Sequence, residues 1–219
     1  MRAFPALFLA SLAFMLGASR ADPDLLQDVC VADLSSGIIS LCINAFFPHP
    51  STIGANDFFF AGLANPNFPN NTLGSLVTAA NVEKIPGLNT LGVSMSRIDY
   101  AVGGVNPPHT HPRASEIAFV LEGELEVGFF TTSNVLISKR IKKGEIFVFP
   151  KGLMHFQKNI GKTRASAITA FDSQFSGTQS IATTLFAATP TIPNDVLSKA
   201  FQIHPREVER IKVKLTPKK

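Results

Sequence analysis

Two segments decide how this chain reads. The first is Gly103-Gly104-Val105-Asn106-Pro107-Pro108-His109-Thr110-His111-Pro112-Arg113-Ala114-Ser115-Glu116, and the second is Gly144-Glu145-Ile146-Phe147-Val148-Phe149-Pro150-Lys151-Gly152-Leu153-Met154-His155. Both are marked by Gly and Pro and rich in residues that favour strands and turns. Histidines two apart on an extended segment point to the same face, so His109 and His111 share a side. Glu116 lies five residues after His111, the wrong parity for one straight strand. Pro112 interrupts the run, so a turn there brings Glu116 back onto that face. His155 follows the strand around Phe147 to Phe149 and the turn Pro150-Lys151-Gly152. Three imidazoles and one carboxylate then meet inside a β-barrel.

The surrounding chain supports that architecture. From about Val77 to Phe175 it reads as many short strands. The clearest are Leu91 to Ile98, Glu116 to Leu121, Glu124 to Phe130, Val135 to Ile141, Ile146 to Phe149 and Ala165 to Phe171. Gly123, between two of them, reads as a tight hairpin, and Lys143-Gly144-Glu145 as another hairpin turn. Ile117-Ala118-Phe119-Val120-Leu121 is apolar on both faces, as in a strand covered on both sides. In a small barrel another subunit could supply the outer cover. The C-terminal part changes period. Asp195 to Phe201 and Pro205 to Leu215 have helical spacing, and Pro193 and Pro205 suit helix starts. No internal repeat is evident. The expected fold is all-β: one barrel followed by two short helices.

Three His nitrogens and one carboxylate oxygen form a borderline donor set that suits Mn, Fe, Ni, Cu or Zn better than Ca or Mg. A six-coordinate ion would keep two positions for water or substrate. The other two histidines lie beside prolines, His49 between Pro48 and Pro50 and His204 before Pro205, and read as structural or exposed. No nucleophile elbow or phosphate-cradling Gly loop is present. Ser94 and Ser96 have no arranged base outside the metal site.

The N-terminus carries its own signal. Arg2 precedes the apolar run Ala6 to Leu16, and Ser19 and Ala21 are small residues before Asp22. This is the pattern of a secretory signal peptide spanning 1–21. The run is too short to span a bilayer comfortably. Removing it takes away Arg2 and Arg20, leaving 18 basic and 16 acidic residues and a net charge of +2. The Lys and Arg residues from Lys199 to Lys219 are interleaved with Glu207 and Glu209. They read as a solvated helix face, so no nucleic-acid partner is expected. Cys30 and Cys42, an even pair in an oxidising compartment, read as a disulfide worth about 3 kcal/mol in the chain-entropy account. Asn70-Asn71-Thr72 is an N-glycosylation sequon with Asn70 as acceptor, in a turn-rich stretch. The division is a signal peptide 1–21, an N-terminal arm with the disulfide 22–75, a barrel 76–190, and C-terminal helices and tail 191–219.

The two opening segments match both motifs of the cupin superfamily, including Gly123 and Asn159 at their ends. More narrowly, the chain resembles the germin-like proteins. Asp24-Leu25-Leu26-Gln27-Asp28-Val29-Cys30-Val31-Ala32-Asp33-Leu34 is similar to the germin N-terminus. Gly87 to Ser94, Asn106 to Ala114 and Gly152-Leu153-Met154-His155-Phe156-Gln157 are similar to the germin boxes. The resemblance implies a cupin jelly-roll barrel with manganese on His109, His111, Glu116 and His155. It also implies a secreted glycoprotein of the plant apoplast or cell wall, linked to defence and assembled as a homohexamer, a trimer of dimers. Family members include oxalate oxidases and superoxide dismutases, and many have no known activity. In the oxalate oxidases two asparagines help to orient substrate. One aligns with Asn106, which also suits a turn before two prolines. The other aligns with Ser96, where this chain departs from the pattern. Superoxide dismutation yielding hydrogen peroxide is therefore the favoured enzymatic reading, ahead of oxalate oxidation. A non-enzymatic wall protein, structural or defensive, is the alternative.

Overall fold

The computed structural model describes residues 29–32, 34, 53–67 and 69–216. The signal segment, Cys42 and His49 lie outside the described residues. Among the described residues, ten strands build two antiparallel five-stranded sheets. They are β1 (Ser75–Ala80), β2 (Ser94–Tyr100), β3 (Val105–Thr110), β4 (Glu116–Glu122), β5 (Glu124–Phe130), β6 (Leu136–Lys142), β7 (Ile146–Phe149), β8 (His155–Asn159), β9 (Ala165–Phe171) and β10 (Gln179–Ser180). One sheet runs β1-β2-β9-β4-β7 and the other β10-β3-β8-β5-β6. This is a jelly roll.

The strands alternate as period-2 packing requires. In β8, His155, Gln157 and Asn159 are buried between the sheets. The core includes Ile98, Tyr100, Val120, Leu125, Val127 and Phe149. Each large side chain removed from water contributes about 1.5–3 kcal/mol before entropy is charged against it. Burial pushes the Tyr100 phenol well above its ordinary pKa, with Glu116 and Asp99 adding to the effect, so it stays neutral.

Sequence and structure differ at several places. The strand expected from Leu91 begins at Ser94, because Thr90 and Gly92 take left-handed backbone conformations that bend the chain first. Gly123 is not a hairpin turn. β4 and β5 lie in different sheets, and Gly123, at φ 82°, makes the corner between them. Lys143-Gly144-Glu145 likewise carries the chain from β6 to β7 across the sandwich, not within one sheet. Turn chemistry marks a reversal but does not say which sheet receives the next strand.

Beyond the barrel come three helices, one more than the periodicity showed: α1 (Ile181–Phe186), α2 (Asn194–Phe201) and α3 (Pro205–Leu215). Only six residues long, α1 is too short to display a helical period. Phe186, Leu197 and Val208 form a second small core. The His204 ring accepts from the Arg206 amide and caps α3.

The segment before β1 is held by polar ties. Arg97 and Asp99 pair at 2.9 Å. Asp99 accepts from the Asn67 amide at 2.8 Å, and Arg97 donates to the Leu63 carbonyl at 3.3 Å. Cys30 is buried and carries no free thiol. Asn70 is exposed.

Candidate metal centre

The site lies between the sheets. His109 on β3 is the register partner of His155 on β8. Glu116 opens β4 on the opposite sheet, between Phe149 and Phe171. His111 sits in the connection that crosses from one sheet to the other. This resolves the parity problem in a way the sequence did not show. Glu116 does not return to the face of its own strand. The chain changes sheets between Thr110 and Glu116, and the carboxylate looks back across the barrel.

All four side chains are buried, and one donor atom from each lies within 4.8 Å of the others. Two donors about 2.2 Å from a common ion stand no more than about 4.4 Å apart, so small movements let all four share one. Glu116 Oε2 is 3.0 Å from Nε2 of both His111 and His155. The rings are oriented from behind. Nδ1 of His109 donates to the Pro107 carbonyl at 2.7 Å, and Nδ1 of His155 to the Leu153 carbonyl at 2.8 Å. Nδ1 of His111 donates to the Gly177 carbonyl. A carbonyl only accepts, so each Nδ1 carries a proton and Nε2 is the atom available for coordination; in the metal-free protein Nε2 of His111 and His155 donates to Glu116 instead, and that proton would leave when a metal binds. Phe149 stacks on His155, with ring centroids 4.4 Å apart and 21° between planes.

Electrostatics agree with a cation-binding role. Burial would raise the Glu116 carboxyl, but hydrogen bonds from His111 and His155, with their charge, outweigh it and hold the pKa at about 2. Burial, joined by the neighbouring His155, lowers His109 to about 4. The donors are therefore a carboxylate and, for His109, a neutral imidazole near neutral pH. A borderline transition metal fits this buried set.

His109, His111 and Glu116 face a cavity of about 300 Å³. Val77, Ala79, Ile98, Phe171 and Phe175 supply apolar wall. Asn106 and Ser96 also line it, but both are engaged by protein partners. Asn106 Nδ2 donates to Gln157 Oε1 at 2.7 Å, and the Ser96 and Thr169 hydroxyls lie 2.6 Å apart. Reading the four residues alone misses Gln157, Thr169 and the segment 172–178, whose residues Phe175 to Thr178 line the cavity. Gln157 was within reach, because it stands two residues after His155 and therefore on the same face. Thr169 and 172–178 belong to distant stretches with no motif to mark them.

Residues 61–209 match the cupin family, and the two-sheet fold with its centre of three histidines and one glutamate defines the chain as a cupin. Germin-like protein subfamily 2 member 4 of Arabidopsis thaliana is 64% identical over 200 residues, covering 90% of each chain. Germin-like protein 5-1 of Oryza sativa subsp. japonica is 60% identical over 202 residues, covering 92% of this chain and 90% of the other. The chain belongs to the germin-like protein family. Among solved structures, a recombinant oxalate oxidase in complex with glycolate superposes with a TM-score of 0.82 at 45% identity, covering 89% of this chain and 98% of that one.

Proposed function

We propose that this chain is a secreted, manganese-binding germin-like glycoprotein of the plant apoplast, acting in defence as a superoxide dismutase. The observation that carries the reading is the pairing of a buried donor set, three imidazoles and a carboxylate, with a small, largely apolar cavity. His109, His111, Glu116 and His155 would hold the ion. Manganese there supplies one-electron chemistry, by which two superoxide ions and two protons become dioxygen and hydrogen peroxide. The protein's part is to fix the ligands, keep bulk water away through Phe171 and Phe175, and admit a small substrate.

Oxalate is the weaker substrate on this geometry. A dicarboxylate gains from carboxamides aimed at its second carboxylate. Here Ser96 stands at one of the two positions and bonds to Thr169, while Asn106 is anchored by Gln157. The second reading is a wall protein whose metal stabilises the barrel without turnover. A homohexamer suits both readings. Met95, Ile117, Phe119, Ile146 and Val148 form an apolar outer face on one sheet, each 41–59% exposed in the single chain. The signal-peptide pattern and the exposed Asn70 sequon support secretion and glycosylation.

The test is to purify the secreted protein, measure its manganese and assay superoxide and oxalate in parallel. Superoxide loss that tracks manganese content, with no oxalate turnover, is the expected result. Full manganese with neither activity would sink the enzymatic reading. Oxalate turnover would show that Ser96 is a tolerated change.

A further inference from the structure

We propose that Arg113 is a positioning residue that couples access to the cavity with the orientation of His111. The inference rests on the reading that His111 is a metal ligand. The strap of residues 172–178 leaves β9 in one sheet and enters β10 in the other. Phe175, Ser176, Gly177 and Thr178 line the cavity on their way across.

Arg113 touches three consecutive residues of this strap. Its Nε donates to the Phe175 carbonyl at 2.7 Å, and its guanidinium lies 5.2 Å from the centroid of the Phe175 ring. Its backbone amide donates to the Ser176 carbonyl at 3.3 Å. Gly177, at φ 68°, leaves room for the guanidinium, since a Cβ there would stand 2.7 Å from Nη2. The Gly177 carbonyl in turn accepts from His111 Nδ1. Arg113 follows His111 by two residues, so the two side chains grip the strap from one short stretch.

The three ligand histidines differ in what holds them. Pro107 and Leu153 each lie two residues before the histidine they anchor, so His109 and His155 carry their own supports. His111 alone borrows its support from the strap. The first part of the strap is fixed elsewhere. Asp172 accepts from the Ser115 amide at 2.7 Å, the Ser173 carbonyl from Ser94 Oγ at 2.6 Å, and the Gln174 carbonyl from the Val82 amide at 3.1 Å. Residues 175–177 lean on Arg113. Losing its side chain therefore opens the cavity wall and loosens one ligand together, and leaves the other three alone. Arg113 is exposed, and the described ion pairs do not include it, so its removal leaves the barrel core untouched.

The experiment compares wild type, Arg113→Ala, Arg113→Lys and Gly177→Ala by hydrogen exchange, manganese affinity and manganese EPR. In Arg113→Ala, amides of 175–178 are expected to exchange at least about tenfold faster while those of 116–122 stay unchanged. Manganese affinity should fall about tenfold, the usual scale for removing an outer support of a ligand, and the EPR splitting should change. Arg113→Lys keeps the charge without the planar fork and should fall between the two. Gly177→Ala should reproduce the EPR change. Wild-type affinity and EPR in Arg113→Ala would overturn the proposal. Failure of the wild type to take up manganese would instead overturn the metal reading, and exchange of 175–178 would still decide whether Arg113 holds the strap.

Discussion

Gln157 donates its amide to Glu116 Oε1 at 3.3 Å, from the opposite sheet and two residues beyond a ligand histidine. The other carboxylate oxygen, Oε2, faces His111 and His155. Asn106 completes the chain by donating to Gln157. One oxygen of the carboxylate is thus held by the protein and one is turned to the metal position.

Gln157→Leu keeps the volume and removes both bonds. It leaves Asn106 and Glu116 short of a buried partner, at a cost of about 1–3 kcal/mol. Manganese affinity should fall about tenfold. Urea unfolding and metal titration of the variant check the two effects separately. An unchanged affinity would show that Glu116 needs no support from behind.

Gly123→Ala tests the corner between the sheets. Its backbone is left-handed, and a Cβ would stand 2.5 Å from Ala165 Cβ and 2.8 Å from Ala165 Cα. Backbone strain and overpacking together should cost about 3 kcal/mol. A shift of that size in the urea midpoint is expected, with manganese stoichiometry unchanged. A glycine that merely closed a hairpin would not meet Ala165 on β9.

Features set by neighbouring residues were legible in the sequence, and features set by long-range pairing were not. The convergence of His109, His111, Glu116 and His155 into one cluster was legible because their types and spacing are local, and the strands Glu124–Phe130, Ile146–Phe149 and Ala165–Phe171 because their composition is. β3 was harder to delimit, since Asn106-Pro107-Pro108 does not look like a strand and is irregular in register there. The assignment of strands to sheets was not legible in the residues' own patterning, and only the resemblance to the cupins implied a jelly roll. Gly123 and Gly144 announce reversals, and whether a reversal stays in one sheet depends on long-range pairing. The supports of the site divide in the same way. Gln157 follows from parity, while Gly177 and Arg113 meet only after the chain has folded across the barrel.

Acid should unfold the metal-free protein in a defined direction. His109 titrates near 6.5 when unfolded and at about 4 when folded. Between those values the unfolded chain holds the extra proton, so stability falls as pH falls. Glu116, held at about 2 against an ordinary 4.5, adds stability that is present above about 4.5 and lost as pH falls through about 2. Both act the same way, so urea midpoints of the metal-free protein should drop steadily from about pH 6.5 downward. In His109→Gln the part of the slope between pH 6.5 and 4 should flatten. A slope unchanged by that substitution would contradict the assignment.

The apolar outer face makes its own prediction. Met95, Ala170, Ile117 and Val148 stand side by side across β2, β9, β4 and β7, and Ile168, Phe119 and Ile146 form the next row. A lysine at Ile117 places a charge at its centre. Sedimentation should show a smaller species for Ile117→Lys than for the wild type, with manganese still bound. Identical sedimentation would place any subunit contact elsewhere.

On the proposed function, His109, His111, Glu116 and His155 hold one manganese ion. Elemental analysis of the secreted protein against its His155→Ala variant tests it most directly. One manganese per chain in the wild type, and at least about a tenfold loss in a variant that remains folded, is the predicted result. Equal manganese in both, or none in the wild type, would contradict it.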